Sequence, residues 1–199
     1  MSKAQATKAH IIEQAATLFN QKGYAGSSMS DLMRVTGLQK GGLYNHFRSK
    51  DELAIAAFDF AVQRMQQRVA GALKGKRHAV DRLLALLGAY DDFLDEPPVK
   101  GGCPILNTAV ESDDGHQALR ERTQQAMDRW RGLIERIVAK GTARGEVHPA
   151  AEPETVAAIL IATLEGGIML SKLYDDPSYL ERTLSHLRTY VQHQLAAPE

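Results

Sequence analysis

Apolar residues recur along most of this chain at the three-and-four spacing of amphipathic helices, and polar breaks divide it into about nine segments. Ile11, Ile12, Ala15, Ala16, Leu18 and Phe19 form the first stripe, between Lys8 and Lys22, with Gly23 as its stop. Ser28, with Asp31 three residues on, reads as the capping pair of a short helix through Leu32 and Val35 that ends near Gly37. A third short helix is predicted over about Lys40 to Phe47. Ser49 and Glu52 cap a long fourth one through Leu53, Ala56, Phe58, Val62, Met65 and Val69. Past Gly75 a fifth runs from Val80 to Leu94, and the stretch from Asp95 through Pro97-Pro98 to Gly101-Gly102 is loop by every local signal. A sixth starts at about Pro104 and breaks at Ser112-Asp113-Asp114-Gly115, and a seventh covers His116 to about Lys140. Pro153 takes the first position of an eighth, which reaches Tyr174. Ser178 with Glu181 caps the last, to about Gln194. There is no internal repeat and no strand pair, so the predicted fold class is all-α.

Composition agrees with that pattern: 44% of the 199 residues are hydrophobic and only 6% aromatic, ordinary for a globular helical chain. No apolar run approaches the length of a membrane span, and the first ten residues lack the apolar stretch of a signal peptide. The single cysteine, Cys103, excludes an internal disulfide and suits a reducing cytoplasm, the expected location. Formal net charge is zero, yet it is unevenly spread. Residues 1–50 hold seven Lys/Arg against two acids, and the remainder carries the balancing negative charge. Concentrated positive charge is what phosphate binding requires. It is also what a solvated face can carry, and charge alone leaves both readings open.

The segment from Ile12 to Leu53 is the informative one. Two short helices joined by a tight turn at Gly37-Leu38 make a helix-turn-helix, whose second helix has the size to enter a DNA major groove. Leu32, Val35 and Leu43 would face inward onto the first helix. Gln39, Lys40, Gly41, Gly42, Tyr44 and His46 would then face out. Lys can donate to guanine and Gln can bond adenine bidentately. Glycines at 41 and 42 are poor helix formers, so their presence points to close approach of backbone and DNA. Tyr44, His46 and Lys50 suit phosphate contacts, as does Ser28 at a helix N-terminus. With Ser30 and Asn45 these residues complete the predicted DNA-binding set.

In register, Lys22-Gly23-Tyr24, Ser28, Asp31-Leu32, Thr36-Gly37-Leu38 and the run from Lys40 to Leu53 resemble the signature of the TetR family of bacterial repressors. Met33-Arg34-Val35 departs from the small residues more usual there. The resemblance covers the DNA-binding quarter of the chain and implies a division into a helix-turn-helix domain, residues 1–50, and a regulatory and dimerisation domain, residues 51–199. It also implies a homodimer on a palindromic double-stranded operator, with a small-molecule inducer that shifts the fourth helix and spreads the two heads.

In the C-terminal region, Gly166, Gly167 and Leu170 with Leu184, Leu187 and Val191 pattern either as an ordinary core or as an interface; the resemblance favours a dimer interface. The family's ligand cavity lies among the fourth to eighth helices, which makes Phe58, Met65, Tyr90, Phe93, Asn107, Met127, Trp130, Ile134, Leu164 and Glu165 the candidate ligand contacts. Cys103 joins them: a helix N-terminus and nearby Lys100 favour thiolate, whereas a lone cysteine also serves as a small buried hydrophobe. Some family members with a similar glycine–cysteine start to this helix sense electrophiles there. An enzyme is not expected. The seven histidines are scattered without metal-ligand spacing, no cofactor motif occurs, and Asp91-Asp92 and Asp113-Asp114 read as solvated caps. The rival class is a helical protein-interaction adaptor without DNA binding, for which a positive, glycine-opened third helix has no use.

Overall fold

The computed structural model describes residues 2–112 and 115–198, so the Asp113-Asp114 pair lies outside the described residues. Among these, α-helices dominate: α1 (Lys3–Lys22), α2 (Met29–Thr36), α3 (Lys40–Tyr44), α4 (Lys50–Leu73), α5 (Ala79–Gly88), α6 (Pro104–Ser112), α7 (Gln117–Ala143), α8 (Pro153–Tyr174) and α9 (Ser178–Tyr190). The differences from the sequence reading lie at helix ends. α1 begins earlier because Ser2 and Gln5 form a reciprocal capping box ahead of the apolar stripe. The predicted Ser178–Glu181 cap is replaced: the Asp176 carboxylate accepts the Ser178 N–H at 2.9 Å, and Ser171 Oγ of α8 accepts the Leu180 N–H at 2.9 Å inside the core. α9 closes in a π-turn over Val191–Leu195.

The chain packs as two compact units, residues 1–65 with 97–126 and residues 66–96 with 127–199. They do not follow a cut at residue 50. The long helices α4 and α7 each contribute to both, and α6 packs with the N-terminal helices.

In the first unit Ile11, Ala15 and Leu18 of α1, Leu32 of α2, Leu43 of α3, Phe47, and Leu53 and Ala57 of α4 form one buried cluster with Val99. α6 is tied to α1 by polar contacts. Asn20 is buried at the end of α1, and its side-chain amide donates to the carbonyls of Lys100 (3.1 Å) and Gly102 (2.9 Å). Asn107 of α6 answers, its amide nitrogen lying 3.1 Å from Asn20 O, 3.0 Å from Asn20 Oδ1 and 2.9 Å from Gly101 O. Gly101, at φ +119°, lies against the Asn20 backbone where a Cβ would collide. Asn107, a candidate ligand contact, is thus spent on this lock. Cys103 is 4% exposed, and its carbonyl accepts the Asn107 N–H at 3.1 Å.

In the second unit Arg68 of α4 donates to the carbonyls of Ala89 and Glu96 and pairs with Asp92. Tyr90 stacks on Trp130 with ring centroids 6.3 Å apart and meets Phe93 at 5.4 Å. α8 and α9 pack along their inner faces: Gly167, Leu184, Leu187 and Val191, expected at an interface, are buried within their own chain, with Gly167 seated under Thr183. Gly166 and Leu170 stay on the half-exposed side. α8 is apolar nearly all round, so its periodicity could not tell which face its own chain takes. By length and composition alone α8, 22 residues long, contains an 18-residue window apolar enough to cross a membrane, with mean hydropathy 1.7, and half of that window is buried inside the protein, as in a core helix.

Truncating Asn107 removes its amide donor from part-buried acceptors on Asn20 and Gly101. Asn107→Ala is therefore expected to lower stability by about 1–3 kcal/mol, read as an earlier urea midpoint.

Candidate nucleic-acid interface

The reading head is built around the capped start of α2. Ser28 Oγ accepts the Asp31 N–H at 3.1 Å, while the Asp31 carboxylate takes the Ser28 N–H (2.9 Å) and hydroxyl (2.7 Å). Asp31 also pairs with Lys22 at 2.7 Å and Arg34 at 3.4 Å. These contacts hold its carboxyl far below the usual carboxylate range, the Lys22 bond contributing most. Two of the seven cations in residues 1–50 are thereby answered within the head, and the Ser28 hydroxyl is committed to its cap. Gly37, at φ +70°, closes α2 in the left-handed conformation and makes the turn into α3.

α3 buries Leu43 and turns its other side outward. Ser30, Gln39, Lys40, Gly41, Tyr44 and Asn45 are exposed, Tyr44 at 45%, while Gly42 and His46 are half-buried. The Lys40 ammonium stands 5.9 Å over the Tyr44 ring. An added Cβ at Gly41 would meet nothing of the chain within 4 Å. Neither packing nor a positive φ inside this protein calls for glycine at that position. One surface therefore gathers most of the residues predicted to contact DNA.

Lys50 is the exception. Its Nζ donates to the Tyr24 carbonyl at 2.6 Å and lies 4.1 Å over the Tyr24 ring, and burial pulls its pKa down. It fastens the turn after α1 before it can serve a phosphate. A cluster unseen in the sequence surrounds it. Glu111, in the last turn of α6, accepts the N–H groups of Tyr24 (2.7 Å) and Ala25 (2.8 Å). The Tyr24 hydroxyl donates to Asp51, and His116 packs edge-on against the Tyr24 ring at 4.9 Å. Burial, then the Asp51 contact, pushes the Tyr24 hydroxyl up to about 12. No period links residues almost ninety positions apart, so only the Lys50-Asp51 and Gly23-Tyr24 pairs could have hinted at this cluster.

The remaining candidates separate. Phe58, Met65, Cys103 and Asn107 belong to the first unit, and Tyr90, Phe93, Met127, Trp130, Ile134, Leu164 and Glu165 to the second. Within the second unit, Tyr90, Phe93, Ile134, Leu164 and Glu165 are buried, and Met127 and Trp130 are half-buried. The buried indole N–H of Trp130 meets no acceptor among the described residues. No group of three His, Cys, Asp or Glu side chains suited to a metal occurs among them.

Residues 11–57 match the profile of the bacterial regulatory proteins of the tetR family, and residues 79–187 match that of the tetracyclin repressor-like C-terminal domain. The chain belongs to the TetR family. A TetR transcriptional regulator from Chloroflexus aurantiacus J-10-FL has the same fold, with a TM-score of 0.95 and 45% identity over 100% of both chains. The transcriptional repressor DhaR of Mycobacterium sp. (strain GP1) is 25% identical, over 88% of this chain and 87% of its own length. The repressor NemR of Escherichia coli (strain K12) is 26% identical, over 93% and 94%. This TetR-family protein is a DNA-binding, ligand-responsive transcriptional regulator, not an enzyme.

The Tyr24 shift has a sign that can be checked. A raised tyrosine pKa stabilises the fold fully below pH about 10 and loses that contribution as pH climbs to about 12. In ultraviolet difference titration against Tyr24→Phe, the Tyr24 signal is expected near that upper value. Asp51→Asn should lower it partway only, since burial is the larger cause.

Proposed function

We propose that this regulator binds a palindromic operator as a homodimer, represses there, and is released by a small-molecule inducer. The observation that carries the DNA-reading part is the outward face of α3, where Lys40, Tyr44, Asn45 and Gln39 flank a glycine that nothing inside the chain requires. Gln39 and Lys40 read base edges, and Tyr44, Ser30 and His46 hold phosphates. Lys50 supports them through Tyr24. The named repressors among the relatives favour repression. A regulator that acts on a chromosomal operator would act in the cytoplasm. An adaptor without DNA binding gains no support from such a face.

A second copy covers the outer face of α8. Ala158, Ile159, Ala162, Met169 and Leu173 recur there at helical spacing, all exposed, with Gly166 and Leu170 between them. Met169 is 50% and Leu173 69% exposed, a continuous apolar stripe that a monomer would leave in water. Dimerisation sets two heads about 34–36 Å apart on successive major grooves.

Residues 51–199 serve as the regulatory domain. The inducer is best placed near the Tyr90–Trp130 stack, where the indole N–H can bond a ligand acceptor. Whatever binds must favour the released arrangement over the DNA-competent one, a difference of about 1–3 kcal/mol for an ordinary allosteric pair. A reversible ligand is better supported than an electrophile, because the Cys103 thiol is shielded.

Selection from a random duplex pool with the purified protein tests the reading: a palindromic site is expected, and no enriched site at any salt concentration would refute it. On that site Gly41→Ala should bind at least about tenfold more weakly while folding about 0.5–1 kcal/mol more stably, since alanine is the better helix former. Equal operator affinity would remove the close-approach argument. Met169→Arg is expected to yield monomers in analytical ultracentrifugation with helix content intact; an unchanged dimer would place the interface elsewhere.

A further inference from the structure

The second unit holds a cleft of about 370 Å³ lined by the turn after α4, the start of α5 and the end of α7. Six cationic side chains line it, Lys76, Arg77, Arg82, Arg136, Lys140 and Arg144, against one carboxylate, Glu146. That carboxylate is already engaged: Oε2 accepts the Ala79 N–H at 2.7 Å, and Oε1 lies 4.0 Å from Arg144. Among the described residues no other ion pair reaches any of the six. Lys140 and Arg144 complement the C-terminal end of the α7 dipole. The other four lie away from that helix end, and like charges gathered in one concavity repel one another unless an anion joins them.

The cleft is built rather than accidental. α7 approaches α5 at Gly141, where an added Cβ would collide with the side chains of Ala79 and Val147. This close approach brings Lys140 and Arg144 to the same cleft as Arg82, whose Nη1 donates to the Lys76 carbonyl at 3.1 Å and holds the turn. Buried Ala79 and Ile137 with half-buried Leu133 give the cleft an apolar side beneath its cationic rim.

We propose that this cleft binds a small, multiply charged anion of the polyphosphate or phosphate-ester class, one per chain. Its volume falls in the range of about 300–1,000 Å³ typical of small-molecule sites. Four guanidinium groups line it; Arg82 is already engaged with the Lys76 carbonyl, and the other three supply the planar, bidentate donors that phosphate oxygens accept. Concavity and the apolar side favour a compact ligand over the backbone of a duplex. The site lies in the unit that does not contain α1, α2 and α3, and it stands whatever sequence the reading head selects.

Inorganic pyrophosphate is the probe, titrated calorimetrically into the full chain at fixed ionic strength. About one equivalent per chain is expected to bind, weakening at least about tenfold in the double variant Arg136→Gln/Lys140→Gln. Lys40→Gln, on the reading head, should leave that binding unchanged. Both cleft substitutions are at exposed positions; if the double variant melts early, Arg77→Gln on the exposed turn is judged by the same criterion. Absence of binding, equal affinity in wild type and cleft variants, or loss on Lys40→Gln alone would overturn the proposal. So would a cleft variant that loses affinity for random duplex DNA but keeps that for pyrophosphate.

Discussion

One carboxylate joins the DNA-reading head to the helix behind it. Glu111 accepts two successive backbone N–H groups at Tyr24 and Ala25, in the turn between α1 and α2. Hydrogen bonds to a charged acceptor are the stronger kind, about 1.5–3 kcal/mol each. These two fall where the chain must turn without a helix to satisfy its donors. Lys50 takes the Tyr24 carbonyl on the other side, and Asp51 takes the Tyr24 hydroxyl. The turn that sets α2, and through Gly37 sets α3, is thus held by α6 and by the start of α4. Asn20 and Asn107 fix the opposite end of α6 to the end of α1. α6 is pinned to the head at both ends, so a shift of α6 is felt at the reading surface.

This arrangement gives physical content to regulation in the family. A ligand need not touch α3 to change it; it need only favour one placement of α6 or α4 over another. Cys103, buried just ahead of α6, adjoins Gly102, whose carbonyl Asn20 holds.

Much of this was legible in the sequence and some was not, for identifiable reasons. Short-range signals worked. The Ser28–Asp31 cap, the Gly37 turn and the Pro153 start are written within a few residues of where they act. The outward residues of α3 followed from Leu32 and Leu43 facing in. Polar contacts between distant segments carry no period, so nothing local marks Glu111, and nothing local ties Asn107 to the end of α1. Lys50 looked like any other cation of a basic segment, and only the ring and carbonyl of Tyr24 show that it is held. α8 defeated the pattern differently: a helix apolar on two faces does not say which one its own chain buries. Leu184, Leu187 and Val191 are buried within their own chain, and Met169 and Leu173 stand on the open side.

The most direct measurement is amide hydrogen exchange at Tyr24 and Ala25, in the wild-type protein and in Glu111→Ala, with operator affinity followed in parallel. If α6 holds the head through this carboxylate, both amides are protected in the wild type. They then lose protection in the variant, and affinity falls while the core amides of α1 remain slow. Unchanged protection and unchanged affinity in Glu111→Ala would contradict the account, and the reading head would then stand independently of α6.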